Sequence, residues 1–367
     1  MSETAYLRIV ENIDQGPLTA PKAGGKYSEA LLQYLKLLYR PEEAELVQHL
    51  KMGMKFTAAA DIARVSGKSE NEVKAVLEAL AKKGRVLGFG GNYVLPPIPG
   101  ILNNHQFREE IGPDDLTAGR LYQEYFIKDG FYKYYESSEK GTQMMRVIPV
   151  ERTVRNGQKI LASEEAHRII EAVKQLRLVS CPCRTRTEKL GLRECQDKFP
   201  VASCIMMETS AQYFEQLGLG KKVTAAEAKK YFDEMQDLGL VGTTENYEDA
   251  GHTVICLCCS CCCSQLRGRT RWENPEAVAP SNFVAESGED CVMCGECVDR
   301  CFFKAISLDE GLGRAVVDAD KCMGCGVCTL ACDQEAMRLQ RLEREKPFPN
   351  ARALYKTVAV ENRSQDK

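Results

Sequence analysis

Cysteine is distributed very unevenly along this chain, and that distribution constrains the fold more than any other feature. All 18 cysteines lie between Cys181 and Cys332, and residues 1–180 contain none. The N-terminal half must therefore fold around an ordinary apolar core, whereas the second half carries far more thiols than core packing requires. These thiols need an explanation in metal binding, redox chemistry or disulfide formation.

Disulfides are not expected to account for these cysteines. The start of the chain lacks a basic segment followed by an apolar one, so we expect no secretory signal peptide and a cytoplasmic location. No apolar run approaches the roughly 18 residues that a membrane span needs. Because disulfides are rare in a reducing cytoplasm, we interpret the cysteines as metal ligands or redox groups. The net charge of −3 gives no sign of nucleic-acid binding.

Eight of the cysteines form two copies of one spacing pattern. The segment from Cys291 to Cys301 reads C-x2-C-x2-C-x3-C, and the segment from Cys322 to Cys332 repeats it. Each cysteine of the first run maps onto the second by a shift of 31 positions. The region is therefore an internal duplication.

These two runs resemble the bacterial-type ferredoxins with two [4Fe–4S] clusters, over roughly residues 283–342. The resemblance implies that the fourth cysteine of each run ligates the cluster of the other run. It assigns one cluster to Cys291, Cys294, Cys297 and Cys332, and the other to Cys322, Cys325, Cys328 and Cys301. The family usually has proline after the fourth cysteine, where this chain has Phe302 and Asp333. Two zinc sites are the alternative interpretation.

Ten further cysteines lie upstream of the duplication, and their spacing fits neither a zinc ribbon nor a disulfide framework. They are Cys181, Cys183, Cys195, Cys204, Cys256, Cys258, Cys259, Cys261, Cys262 and Cys263. If the dense run is extended, alternation places Cys256, Cys258 and Cys262 on one face and Cys259, Cys261 and Cys263 on the other. The run therefore predicts two metal centres, or one centre beside buried structural thiols. One or two additional iron–sulfur clusters are favoured, and zinc or a catalytic thiol site are the alternatives.

The surroundings of these cysteines add two observations. Arginines flank both upstream groups, among them Arg184, Arg186 and Arg267, and would raise the reduction potential of an anionic cluster unless they are ordinary surface residues. His252 is either a ligand or a structural histidine. The Cys-Pro-Cys-Arg motif at residues 181–184, the dense run and the C-terminal repeat together resemble a family of 4Fe–4S dicluster proteins of anaerobes. That resemblance implies cluster binding and electron transfer without naming a reaction.

The pattern of residues 1–100 predicts a winged-helix-like domain. Helices are expected after Pro41, from Thr57 and after the capping box at Ser69, followed by a hairpin that turns at residues 90–92. Residues 41–96 contain eight basic and seven acidic residues, so the helix that would read DNA lacks clustered cations. The unit is therefore interpreted as a scaffold or docking module, with a DNA-binding regulator gated by the state of a cluster as the alternative.

Helices and strands can also be predicted around the upstream cysteines. One helix is expected to begin at Ser163 and to extend to Leu176, and a second to run from Met206 to Leu217. A third is expected after a capping box at Thr224, and a strand should enter the dense run at Cys256.

The predicted fold class is α+β. The predicted units are a winged-helix-like domain (1–100), a mixed cysteine-rich metal-binding domain (101–282), a two-cluster ferredoxin domain (283–342) and a partly mobile tail (343–367). The favoured function is single-electron relay in anaerobic metabolism, between a redox partner protein and the middle metal centre. A reductase with its catalytic site in the middle domain is the alternative enzyme, and we expect neither nucleic acid nor a membrane as partner.

Overall fold

Amphipathic segments of the thiol-free half fold into helices around one apolar core. The structure, a computed structural model, describes residues 2–53, 55–154, 158–272, 274–344 and 346–363. The helices of this half are α1 (Ser2–Asp14), α2 (Glu29–Leu38), α3 (Pro41–Val47), α4 (Ala59–Ser66), α5 (Glu70–Lys82), α6 (Ile98–Leu102), α7 (Pro113–Gln123) and α8 (Tyr132–Glu136). Their apolar faces form one cluster of buried side chains that extends from Ala5 to Met144.

Short strands accompany these helices. They are β1 (Lys22–Ala23), β2 (Lys26–Tyr27), β3 (Thr57–Ala58), β4 (Leu87–Phe89) and β5 (Asn92–Val94). The last three form an antiparallel sheet in the order β3–β5–β4, and the hairpin turns at Gly90 and Gly91, both with positive φ. The capping box at Ser69 is present, since its side chain accepts a hydrogen bond from the Glu72 N–H. Helix α4 ends at Gly67 in the left-handed conformation, as its sequence predicts.

A six-stranded antiparallel sheet organises the middle of the chain. Its strands are β6 (Met145–Ile148), β7 (Leu176–Ser180), β8 (Ser203–Met207), β9 (Lys221–Lys222), β10 (Val241–Glu245) and β11 (Val254–Cys258). They lie in the order β6–β10–β11–β8–β7–β9. The associated helices are α9 (Ala166–Glu171), α10 (Pro182–Lys189), α11 (Glu208–Gln216), α12 (Ala225–Leu238) and α13 (Leu266–Arg271). Alternation separates the faces: Ile255 and Leu257 point into the core below α9 and α12, whereas Cys256 and Cys258 point to the opposite side.

Three of the predicted helices have different bounds. The helix expected from Thr57 begins at Ala59, because Thr57 and Ala58 form strand β3 and pair with β5. The helix expected from Ser163 begins only at Ala166 and ends at Glu171, because Leu176 pairs with Met207 in the β7–β8 ladder. The helix expected from Met206 begins at Glu208, since Met206 belongs to β8. In all three places strand pairing overrides local helix propensity. The capping box at Thr224 and the strand that enters the dense cysteine run are confirmed.

The C-terminal module (residues 283–342) consists of two small antiparallel pairs around the duplicated cysteine loops. Its elements are β12 (Phe283–Ser287), α14 (Glu296–Arg300), β13 (Ile306–Asp309), β14 (Arg314–Val317) and β15 (Met337–Arg341). Strand β12 pairs with β15, and β13 pairs with β14. The module packs on the middle sheet, where Val150 N–H donates to the Cys325 carbonyl and Arg300 donates to the carbonyls of Asp237 and Leu238. The whole described chain is therefore α+β.

The C-terminal tail returns to the N-terminal half. It was expected to be partly mobile, but residues Ala351–Arg363 form helix α15, and its Leu354 and Val358 are buried in the N-terminal core. The Asn362 side chain donates to the Pro17 carbonyl and accepts from the Glu139 N–H. Among the described residues, no helix is both long enough and apolar enough to cross a membrane. The domain boundaries drawn from the sequence stay a prediction.

Candidate metal centres

The eight cysteines of the C-terminal module form two separate groups in space. Electrostatic interaction raises the pKa of Cys297 through Cys291, Cys294 and Cys332, after the larger effect of burial. We call these four cysteines the outer site, because Cys294 is exposed to solvent. Each group thus combines three cysteines of one run with the last cysteine of the other.

The inner site consists of Cys301, Cys322, Cys325 and Cys328. Burial raises the pKa of Cys325 and Cys328, and the thiols of Cys301 and Cys322 raise both further. A cavity lies among these four sulfur atoms, lined otherwise mainly by apolar side chains such as Phe303 and Val327. A cavity with four converging thiols fits an iron–sulfur cube, which would bury its inorganic core there.

Backbone conformation repeats in the two loops, as the duplication requires. Met293 and its counterpart Gly324 both have positive φ, and so do the pair Lys304 and Glu335. At Gly324 a Cβ atom would lie 2.2 Å from the Phe283 carbonyl oxygen, so a side chain does not fit.

The loops also present backbone N–H groups to the thiols. Ala285 N–H donates to the Cys322 sulfur at 3.4 Å, and Met337 N–H donates to the Cys332 sulfur at 3.3 Å. Such hydrogen bonds favour a ligated thiolate and raise the potential of a bound cluster.

Six of the ten upstream cysteines lie together on one side of the middle sheet. This six-thiol ring comprises Cys181, Cys183, Cys204, Cys256, Cys258 and Cys263. Hydrogen bonding with two of the others shifts the pKa of each thiol, and these pairings link the six residues into a ring. Of these contacts, the Cys258 and Cys263 sulfur atoms are 3.2 Å apart. The hydrogen bond with Cys256 is the main cause that lowers the pKa of Cys258 to about 6.

The sheet explains how distant parts of the chain meet in this ring. Cys204 lies in β8, and Cys256 and Cys258 lie at alternate positions of the neighbouring strand β11, so their side chains share one face. Cys181 follows β7 directly and caps helix α10, which begins with proline and carries Cys183 in its first turn. A helix N-terminus favours thiolate over thiol.

The other four upstream cysteines form a second cluster. This four-thiol group comprises Cys195, Cys259, Cys261 and Cys262, all of them buried. Cys195 lies in the loop after α10, and the other three lie in the turn that follows β11. The ten upstream cysteines therefore divide into six and four, with none left over.

The alternation predicted for the dense run is correct in part. Two groups on two sides do occur, and Cys256 and Cys258 share one of them. Cys262 was expected with that pair and Cys263 with Cys259, but the two have exchanged places. The reason is that β11 ends at Cys258, and the chain then turns, so strand alternation no longer applies.

Three arginines at the six-thiol ring are deeply buried. Arg184, Arg186 and Arg267 are at most 5% exposed, so they are not ordinary surface residues. Among the described residues, no carboxylate lies within ion-pair distance of them, and each has at least one side-chain N–H without a partner. A buried positive charge without a counterion is costly, so these arginines fit a site that holds an anionic group.

The pKa values of the buried arginines and of the nearby Glu136 also reflect an excess of positive charge that needs an anionic partner. Burial lowers the pKa of Arg184, but its interactions with Cys181, Cys259, Cys204 and Cys258 together raise it by more, so that the net shift is upward. Burial and the neighbouring Arg186 lower the pKa of Arg267. Burial raises the pKa of the nearby Glu136 to about 9, so this carboxyl is protonated at neutral pH and supplies no counter-charge.

Several polar groups that support the thiols were missed from the sequence. The Ser264 hydroxyl lies 3.3 Å from the Cys183 sulfur and 2.8 Å from the Tyr122 hydroxyl. Thr187 donates to the Cys262 sulfur at 3.1 Å. Thr187 lies one helical turn after Cys183, and this spacing is the signal that could have identified it. His252, which the sequence leaves as a ligand or a structural histidine, shares a hydrogen bond with the Thr244 hydroxyl and stacks on the Tyr247 ring.

Comparison with known families decides the nature of the C-terminal module. Residues 290–336 match the family described as 4Fe–4S dicluster domain. The chain carries a C-terminal 4Fe–4S dicluster domain. This dicluster domain implies two [4Fe–4S] clusters, as the sequence predicts, and it covers the outer site and the inner site.

The chain is also similar to parts of two kinds of protein. It is 36% identical over 90 residues to the aliphatic sulfonate oxidoreductase, polyferredoxin-like subunit, of Pyrococcus furiosus, which is 23% of this chain and 51% of that protein. It is 33% identical over 63 residues to archaeal-type glutamate synthase [NADPH] of Thermotoga maritima, which is 17% of this chain and 12% of that protein. The chain thus spans about half of the first relative and about an eighth of the second. No solved structure matches the chain significantly.

These findings support iron–sulfur electron transfer in general. They concern the dicluster domain and short matched segments. The ligands of each cluster and the role of the middle sheet are proposals, which follow.

Proposed function

We propose that the protein relays single electrons in anaerobic metabolism, between a redox partner and a metal centre in the middle sheet. Iron–sulfur clusters, when bound, accept and release one electron at a time. In this account the outer site and the inner site hold the two [4Fe–4S] clusters, and the six-thiol ring holds a further iron–sulfur cluster. The electron route then runs from the surface through the outer and inner sites to the ring.

The observation that carries this proposal is a shared apolar cluster between the inner site and the six-thiol ring. Cys258 and Cys263 of the ring lie in one cluster of buried side chains with Phe303, Met323 and Val327 of the dicluster domain. The inner-site thiols of Cys301 and Cys325 pack against the same cluster. The two candidate centres are therefore connected by packed apolar side chains, which suits electron transfer between buried sites.

The outer site has the properties of an entry point. Cys294 is exposed, and the neighbouring Val292 is 62% exposed. Residues 284–333 contain ten acidic and four basic residues, so we expect a partner with a basic docking face. The polyferredoxin-like relative is named as a subunit of an oxidoreductase, which supports a role as an electron-carrying subunit here.

We also propose that the N-terminal unit is winged-helix-like and serves in docking to another protein. Three features support this: the helix and strand order from α3 to β5, the three-stranded sheet, and an exposed apolar tip. Phe89 at the hairpin is 81% exposed, and Val65 at the end of α4 is 61% exposed. The helix that would read DNA pairs its Lys74 with Glu70 at 2.6 Å, which leaves few free cations for phosphates.

The relay can be tested by comparing two electron donors. Under strict exclusion of oxygen, the protein is mixed with a reduced small ferredoxin or with a small organic reductant, and the signal of the middle centre is followed by freeze-quench EPR. With the ferredoxin donor, Cys325→Ala in the inner site should slow reduction of the middle centre at least tenfold. With the small reductant, wild type and variant should differ much less.

A matched control is Val360→Ala, which shortens an exposed side chain of helix α15 outside all four cysteine sites. It should leave the rate from the ferredoxin donor within about twofold of wild type. Equal rates for wild type and Cys325→Ala with the protein donor would contradict the relay.

A further inference from the structure

The four-thiol group has much tighter geometry than the other cysteine sites. Its sulfur atoms all lie within 4.8 Å of one another. Cys195 is 3.9 Å from Cys259 and 3.8 Å from Cys262, and Cys261 is 3.8 Å from Cys259 and 3.5 Å from Cys262. Among the described histidine, cysteine and acidic side chains, no other three come together in this way.

These distances match the edges of a tetrahedron around one metal ion. Zinc–thiolate bonds of about 2.3 Å at tetrahedral angles place neighbouring sulfur atoms about 3.8 Å apart. An iron–sulfur cube needs wider spacing, because each of its four thiolates binds a different iron at a different corner. The four-thiol group therefore encloses space for one ion and none for a cube.

We propose that the four-thiol group binds a single Zn²⁺ ion through four thiolates. All four positions are occupied by buried cysteines, which is the closed coordination of structural zinc sites. Four thiolates in a tetrahedral arrangement bind either zinc or an iron–sulfur group. The short distances between these four sulfur atoms exclude an iron–sulfur cube, so zinc is the group that fits. This proposal does not depend on the relay, since zinc has no redox chemistry.

The surroundings supply the charge balance that such a site needs. Four thiolates around Zn²⁺ carry a net charge of −2. The thiols of Cys261 and Cys262 raise the pKa of Arg271, after the larger effect of its hydrogen bond with Glu194. The buried guanidinium of Arg184 interacts with Cys259, and the Thr187 hydroxyl donates to the Cys262 sulfur. Outer hydrogen bonds of this kind orient metal ligands and tune their basicity.

The ion would join two segments that have little regular structure of their own. Cys195 lies in the connection of residues 190–202 between α10 and β8, and its partners lie in the turn after β11. This turn begins after Cys258, the last residue of β11, and leads to Cys263, so the four-thiol group and the six-thiol ring are neighbours along the chain. Binding free energy at a structural zinc site contributes to folding.

Adjacent cysteines provide a matched pair of variants. Cys262 belongs to the four-thiol group and Cys263 belongs to the six-thiol ring. Zinc and iron are measured per chain by plasma mass spectrometry in protein purified without oxygen. We expect about one zinc per chain in wild type, an at least fivefold loss of zinc with unchanged iron in Cys262→Ser, and retained zinc in Cys263→Ser.

A measurement on unmodified protein keeps the proposal testable if a variant does not fold. X-ray absorption at the zinc edge should show four sulfur neighbours at about 2.3 Å and no iron neighbour. Wild type without stoichiometric zinc, loss of iron in Cys262→Ser, or oxygen and nitrogen ligands at the zinc would each overturn the proposal. If the zinc assignment fails while electrons still reach the ring, the relay stands.

Discussion

Arg267 offers a direct way to ask whether an anionic cluster occupies the six-thiol ring. Its guanidinium is buried, lies 4.6 Å from the Trp272 ring centre, and interacts electrostatically with Cys183 and Cys263. Among the described residues, its Nε and Nη2 atoms find no hydrogen-bond partner. Arg267→Met keeps most of the packing volume and removes a positive charge from beside the ring.

The size of the effect follows from the buried position. An interaction between a buried charged donor and a negative partner contributes about 1.5–3 kcal/mol. For a one-electron couple, about 1.4 kcal/mol corresponds to a change of about 59 mV. Because the reduced cluster carries one more negative charge, loss of Arg267 should lower the potential of the middle centre by about 65–130 mV.

The assay is an EPR-monitored redox titration of wild type and variant in one buffer. The matched control is Arg168→Met, since the Arg168 side chain is 68% exposed and pairs with Glu165 at 3.3 Å. Water and salt screen that charge, so the control should shift the potential by less than about 10 mV. An unchanged or higher potential in Arg267→Met would refute the placement of the cluster in the ring.

Three further predictions concern stability and partners. Gly268→Ala should lower the free energy of unfolding by about 1–3 kcal/mol in anaerobic thermal unfolding, because its Cβ would lie 2.0 Å from Glu136 Oε2. Gly288→Ala is the control and should change stability little, since the nearest atom to its Cβ is 3.5 Å away. Equal effects of the two substitutions would contradict the packing argument. Burial raises the pKa of Glu136 to about 9, so the folded protein keeps a proton that the unfolded chain releases near pH 4.5, and stability falls as pH rises between these values. In denaturant titrations, the unfolding free energy of Glu136→Gln relative to that of wild type should therefore rise by roughly 4 kcal/mol from pH 5 to pH 8. If the two proteins lose or gain stability in parallel over this range, Glu136 does not carry the proton in the folded protein. The protein should not bind a random DNA duplex in a mobility-shift assay at low salt, and strong salt-sensitive binding would favour the regulator instead.

The dicluster domain was the part of the molecule most fully predictable from sequence. The spacing of its cysteines repeats so closely that the resemblance and the two clusters follow from the residues alone. The crossed grouping of Cys301 and Cys332 agrees with the resemblance, and the ligand assignment itself stays a proposal.

The middle region was predictable only where local rules apply. Capping at Thr224 and alternation at Cys256 and Cys258 depend on neighbouring residues, and both are confirmed. The exchange of Cys262 and Cys263 depends on a turn whose shape is set by packing and by Cys195, more than sixty residues away. The burial of Arg184 likewise depends on tertiary contacts. Its helix, α10, has no apolar face from which burial could be predicted.

The number of iron atoms per chain tests the central claim most directly. Iron and acid-labile sulfide are counted in protein prepared without oxygen, for wild type and for Cys263→Ser. Two cubes account for about 8 iron atoms, and one further cluster raises the count to about 12. We predict about 12 in wild type and about 8 in Cys263→Ser, with the EPR signals of the dicluster domain retained. About 8 iron atoms in wild type would contradict a cluster in the six-thiol ring and leave the relay without its inner terminus.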